Sequence, residues 1–268
     1  MYSSYSSYYS RDQSLGQRSL GKAQIQCSLL KSRTRWGTIG QATPPSPHKA
    51  GLLYFQMNFI QPDTYSLRHV TVSMEFCTPT DPGCGPFVQK HAPERMFGQA
   101  QERNNAKGKE LSPEIDVGGI VGVKLGGVHS SSEYTSEERW SFTGHRQAVN
   151  QQDYTQVLWK LEDPQAQGRS TERPITTAAV LLLEGDPAPK PFVVKVNIDG
   201  KLKSKLHKWR IFDIRSRTIQ STEITPGTSA SDISNFVDGL AAAIEEENLL
   251  HATTGKTQYD HPRVYTEC

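Results

Sequence analysis

EIDVGGIVGVKLGGVHSSSEYTSEERWSFTG, residues 114–144, alternates with a period of two. Ile115, Val117, Val121, Val123 and Leu125 share one parity, interrupted by Gly119. Asp116, Gly118, Gly122, Lys124 and Gly126 fall mostly between them. Successive side chains of a strand point to opposite faces, so this pattern predicts two long strands, each with a buried face and a wet one. The glycines do not spell GxGxxG and no helical pattern follows them, which argues for bulges or strong twist and against a dinucleotide site. The stretch carries β structure and no catalytic motif.

Outward from it the same period recurs. GLLYFQMNFI (51–60) is nearly continuous in apolar residues, and LRHVTVSMEFC (67–77) alternates. QPDTYS between them is turn chemistry, so the two are expected to pair antiparallel. Residues 78–107 hold so many Pro, Gly and polar residues that they predict one long loop. DYTQVLWKLEDP (153–164), TERPITTAAVLLLEG (171–185) and KPFVVKVNIDG (190–200) are further strands. In the last, Phe192, Val194, Val196 and Ile198 share one parity, and Asp199-Gly200 predicts a hairpin turn into KLKSKLHKWRIFDI. Seven or eight strands at this spacing give a mainly β chain, an antiparallel β-sandwich or an irregular barrel. One C-terminal amphipathic helix is expected, because Ile233, Phe236, Val237, Leu240 and Ile244 recur at helical spacing. Ser229 or Ser231 would cap it, with Asp232 in its first turn.

Residues 1–48 predict a disordered Ser/Tyr/Pro-rich tail. The first ten contain four tyrosines and five serines, and Pro44, Pro45 and Pro47 interrupt the chain shortly before the first apolar strand. Residues 49–250 then form a sandwich-like domain and 251–268 a flexible tail. The hydrophobic fraction, 35%, fits a chain that is not all core. A net charge of +2 does not demand a polyanion as partner. No apolar run reaches the ~18 residues of a transmembrane helix, and the N-terminus shows no signal-peptide core. These features point to an intracellular protein, cytoplasmic or nuclear. Of the four cysteines, Cys77 and Cys84 flank TPTDPG. They close a small disulfide loop in an oxidising compartment and stay reduced thiols elsewhere. No spacing suits a metal, and no cofactor is expected.

Thr254-Gly255-Lys256-Thr257 lacks the upstream glycine of a phosphate loop, since Leu250 stands there. GxSxG and HExxH do not occur. The densest charge of one sign is Lys201, Lys203, Lys205, Lys208 and Arg210, with His207 and Trp209 among them and Arg215 and Arg217 beyond. Two readings stand. It is a patch for an anionic surface, lipid or nucleic acid, or it is the solvated face of an edge strand, where lysines deter pairing. The Gly/Ser/Thr-rich hairpin at 114–144 is similar in texture to the membrane-inserting hairpins of aerolysin-like pore formers. Glu133, Glu137, Glu138 and Arg139 spoil its apolar face.

The order of segments resembles that of β-rich proteins of filamentous ascomycete fungi. It runs LRHVTVSMEF, EIDVGGIVGVKLGG, RWSFTG, VLWKLED, AAVLLLE and FVVKVNIDG, across roughly residues 51–214. The resemblance implies a β fold and brings no activity and no site. A sheet scaffold without a reactive constellation points to a non-enzymatic binding or interaction module, met by lipid, nucleic acid or a protein partner. The alternatives are a hydrolase with an unrecognised site and a membrane-acting, pore-forming-like protein.

Overall fold

Alternate apolar residues of two sheets meet in one interior in the computed structural model. It describes residues 12–40, 47–62, 66–80, 85–97, 101–105, 134–138, 140–150, 153–163, 171–184, 189–203, 219–229 and 231–254. The chain begins with β1 (Gln13–Leu20), β2 (Ala23–Leu29), β3 (Arg35–Ile39) and β4 (His48–Gln61), all in sheet A. β5 (Ser66–Cys77) crosses to sheet B, β6 (Phe87–Ala92) returns to sheet A, and β7 (Arg95–Phe97) joins sheet B. β8 (Gln101–Asn105) and β9 (Tyr134–Glu138) pair as a separate antiparallel ribbon. β10 (Ser141–Asn150) and β11 (Asp153–Glu162) enter sheet B, β12 (Thr171–Leu182) sheet A, and β13 (Phe192–Lys203) and β14 (Gln220–Ile224) sheet B. α1 (Ser234–Asp238) and α2 (Leu240–Thr254) follow. Sheet A runs β1-β2-β4-β12-β6 with β3 beside β4; sheet B runs β14-β13-β5-β11-β10-β7. Every ladder within them is antiparallel.

The core forms where the inner faces meet. Leu53, Phe55, Met57 and Phe59 of β4 pack against Val72, Met74 and Phe76 of β5, Val157 and Trp159 of β11, and Val194 and Val196 of β13. Leu181 joins the same cluster, as the parity of β12 and β13 requires. The sequence expectation of a mainly β, sandwich-like chain is met. The outer face of sheet A is apolar too, through Ala50, Leu52, Tyr54, Ala178 and Val180. Ile233, Val237, Leu240 and Ile244 cover it. That explains why β4 reads as a continuous apolar run: it is buried on both sides.

Several expectations are corrected. The tail predicted over 1–48 contains β1, β2 and β3, with Leu15, Ala23, Ile25, Cys27 and Leu29 buried in the core. In β2, AQIQCSL, a polar residue follows each inward one, so only half of a well-buried strand is apolar and the composition looks loop-like. Trp36 of β3 lies against Gly51 and Gly227, where a methyl group would approach its ring to 2.4 and 2.6 Å. Residues 1–11 and 41–46 lie outside the described residues. The loop predicted over 78–107 contains β6, β7 and β8, three short strands whose punctuation hid them. β4 and β5 do not pair. β4 lies between β2 and β12, β5 between β13 and β11, so the two consecutive strands belong to different sheets. Of the opening stretch 114–144, residues 114–133 and 139 lie outside the described residues; the remainder supplies β9 and the start of β10.

The C-terminal helix is two segments, with Gly239 as the C-cap of the first. Asp232, rather than Ser229 or Ser231, holds its start: its Oδ1 accepts from the Ser234 amide at 2.9 Å and from the Ser234 hydroxyl at 2.6 Å. Phe236 turns outward, 45% exposed, beneath the Arg35 guanidinium 4.1 Å from its ring centre. The flexible tail predicted from 251 begins as helix, since α2 runs to Thr254; residues 255–268 lie outside the described residues. The helices are tied to the first strands. The Thr38 amide donates to the Ser231 carbonyl at 2.9 Å, and the Ile233 amide donates to the Thr38 carbonyl at 3.0 Å.

Two substitutions test this architecture. Val196→Asp places an unpaired charge at a position 1% exposed and is expected to destabilise by about 3–5 kcal/mol. Gly51→Val drives a branched side chain into the Trp36 ring and is expected to cost about 1–3 kcal/mol. Urea unfolding measures both; wild-type midpoints would refute the packing of that face.

Candidate functional site at the basic end of β13

β13 is built as two halves. From Phe192 to Val196 it lies between β14 and β5; beyond Val196 the β14 ladder stops while β5 continues to Lys203. The hairpin predicted at Asp199-Gly200 is absent, and the strand runs straight through it. The glycine serves a close approach instead of a turn. A methyl group there would come within 2.7 Å of Leu20 Cδ1. The aspartate accepts a hydrogen bond from Arg18 Nη1 at 3.1 Å and another from the Gly200 amide at 2.9 Å. Arg18 Nη1 also donates to the Ile198 carbonyl. Thus β1, at the edge of sheet A, closes the open half of β13.

Of the five basic candidates, Lys201 and Lys203 are in β13. Lys205, Lys208 and Arg210 lie outside the described residues. Lys201 is exposed and stands opposite His69 of β5; Lys203 stands opposite Ser66. The register shifts between Lys201 and Leu202, and Leu202 packs against the core. The row through Lys201 continues across His69 to Glu162 of β11, with His69 Nδ1 3.9 Å from a Glu162 oxygen. The next row places Asp199, Thr71 and Lys160 side by side. Exposed Arg68 and Lys22, on β5 and the β1–β2 turn, add positive charge near this end. Sequence reasoning missed Lys22, Arg68, His69 and Lys160, because they reach β13 only through strand register. The surface offers exposed point charges on a sheet face, with acids interspersed.

A second polar cluster lies further along the same outer face. Lys195 Nζ is 3.5 Å from a Glu75 oxygen, and the Cys77 thiol donates to the Val193 carbonyl at 3.8 Å. Burial pushes the Cys77 thiol up, with Lys195 pulling the other way. Cys77 is therefore a free, protonated thiol and not an activated nucleophile. Its candidate partner Cys84 lies outside the described residues. Cys27 is likewise free, fully buried and pushed up by burial. Among the described residues, no three His, Cys, Asp or Glu side chains converge as metal ligands.

Comparison with known proteins finds no family model and no curated protein that matches this chain.

Removing the β1 clamp tests how this end is held. Arg18→Ala takes away charge-assisted hydrogen bonds to Ile198 and Asp199 and is expected to destabilise by about 1–3 kcal/mol. A loss below experimental error in chemical unfolding would show that β1 is not closed on β13 through this side chain.

Proposed function

We propose that the chain is a non-enzymatic binding module acting inside the cell, and that it meets an anionic surface through Lys201, Lys203, Lys205, Lys208 and Arg210. The observation that carries this reading is the exposed Lys201 on a rigid, polar sheet face, at the end of β13 that leads into the rest of the basic segment. Positive charge there recruits phosphate by long-range attraction and counterion release, neither of which needs a pocket. An intracellular setting is supported by two buried free thiols, Cys27 and Cys77. Among the described residues no helix is long and apolar enough to cross a membrane.

The test is sedimentation of the full chain with vesicles containing phosphatidylserine, and its retention on a DNA duplex, at low and at physiological salt. Binding is expected at low salt, weakening steeply as salt rises. Lys201→Glu, Lys203→Glu and Lys205→Glu together are expected to abolish it. No binding of the wild type at low salt would leave the lysines as a solvated edge. Dye release from the same vesicles would favour the membrane-acting alternative.

A further inference from the structure

We infer that His91 is an acid-sensitive latch on the side of the sandwich where β6 of sheet A meets β10 and β11 of sheet B. Neutral, it seats β6 against Trp159 and Gly144; protonated, it releases β6 from sheet B. The inference is independent of the proposed anionic site, which lies on β13.

Geometry carries it. Among the described residues β6 is an edge strand, paired only with β12, and its register slips between the partners of Val180 and Leu181. That slip lets Val88 enter the core between the sheets while Ala92 faces the helix layer. His91, opposite Ala179, is directed at sheet B, its ring edge-on to Trp159 with centres 6.4 Å apart. Gly144 makes the approach possible. A methyl group there would lie 2.8 Å from His91 Cδ2 and 2.9 Å from Trp159 Nε1. His91 Nε2 and Trp159 Nε1 are both buried without a hydrogen-bond partner among the described residues. The imidazole therefore shares a tight contact with a fully buried indole and has no buried acceptor at Nε2 for a second proton.

The surrounding charges point the same way. Arg146 and His145 of β10 lower the His91 pKa through space, His145 from the exposed side of its strand, and the turn contributes Glu94 alone as an acid. Arg146 is itself committed to β6, donating to the Val88 and Gln89 carbonyls. β12 and β11 bring Ala179 and Trp159, without charge. Burial lowers the His91 pKa from its ordinary value, and the hydrogen bond with the Gly144 backbone together with Glu94 only partly offsets this. A histidine whose folded pKa is depressed leaves the closed state unaffected above about pH 6.5. As pH falls below that value, the open state takes up a proton first. The opening constant then rises by up to about tenfold per pH unit until the closed form also protonates.

The experiment is a histidine NMR titration of the full chain from pH 8 to 4.5. It is combined with amide-exchange protection of β6, corrected for the intrinsic pH dependence of exchange. His91 is identified by its Overhauser contact to the Trp159 indole proton, so the assignment needs no variant. The expected result is a His91 midpoint below 6.5, with β6 protection falling in step and β4 protection unchanged. His91→Gln and His91→Phe cannot titrate and are expected to abolish the acid-dependent loss at β6. A His91 midpoint at or above 6.5 overturns the latch, as does β6 protection that does not change with pH. An undiminished acid loss in both variants overturns it too. If neither variant folds, the wild-type titration and exchange decide alone.

Discussion

The two sheets are locked together by a continuous row of ring contacts through the interior. Trp36 of β3 meets Phe192 of β13 at 6.4 Å, Phe192 meets Phe76 of β5 at 6.3 Å, and Phe76 meets Phe55 of β4 at 6.5 Å. Phe55 meets Trp159 of β11 at 6.3 Å, and Trp159 meets His91 of β6 at 6.4 Å. The row passes back and forth between the sheets, and its contacts are tilted or edge-on, as aromatic quadrupoles prefer. Its ends are the two residues least like core residues in sequence, a tryptophan in an apparent tail and a histidine in an apparent loop. Register follows from it, because a one-residue slip of any of these strands would turn its ring out of the row.

A sandwich leaves edges, and here polar side chains close them. Arg18 clamps β1 onto β13, and Arg146 clamps β10 onto β6. The Gln220 side chain exchanges two hydrogen bonds with the Gln17 backbone, joining β14 to β1 as a short strand would. Beyond the end of β6, the exposed edge of β12 is met by Asn248 of α2, which accepts from the Thr176 amide at 2.8 Å and donates to its carbonyl at 2.9 Å. Two residues earlier on the same edge stands Pro174, which has no amide to offer. Such devices occupy backbone groups that an edge would otherwise offer to a second chain.

The central strands were legible from their apolar patterns. β5, β11 and β13 alternate, and the buried sets Val70, Val72, Met74, Phe76 and Phe192, Val194, Val196, Ile198 are those the parity selects, whereas β4 and β12 show as continuous apolar runs because both their faces are covered. What escaped was set by partners distant in the chain. β2 alternates with glutamine and serine, and nothing local shows that it pairs with β4 or that its inner face meets the core. β6 and β7 are too short to display a period. At the candidate site the lysines of β13 were visible as composition, whereas the neighbours that define their surface, His69, Lys160 and Glu162, become neighbours only through register. Asp199-Gly200 misled because the residues that favour a tight turn also serve a salt bridge and a close side-chain approach.

The central claim is that residues Gln13–Ile39 belong to the fold's core rather than trailing from it. Cys27 reports on this directly, for it lies in β2 at 0% exposure. The decisive measurement is the rate at which a small alkylating reagent labels Cys27 in the native full chain, read by peptide mass spectrometry. The account predicts labelling at least ~10³-fold slower than for an unfolded control, because the thiol is released only by major opening of the sandwich. Labelling within a few-fold of the unfolded rate would contradict it.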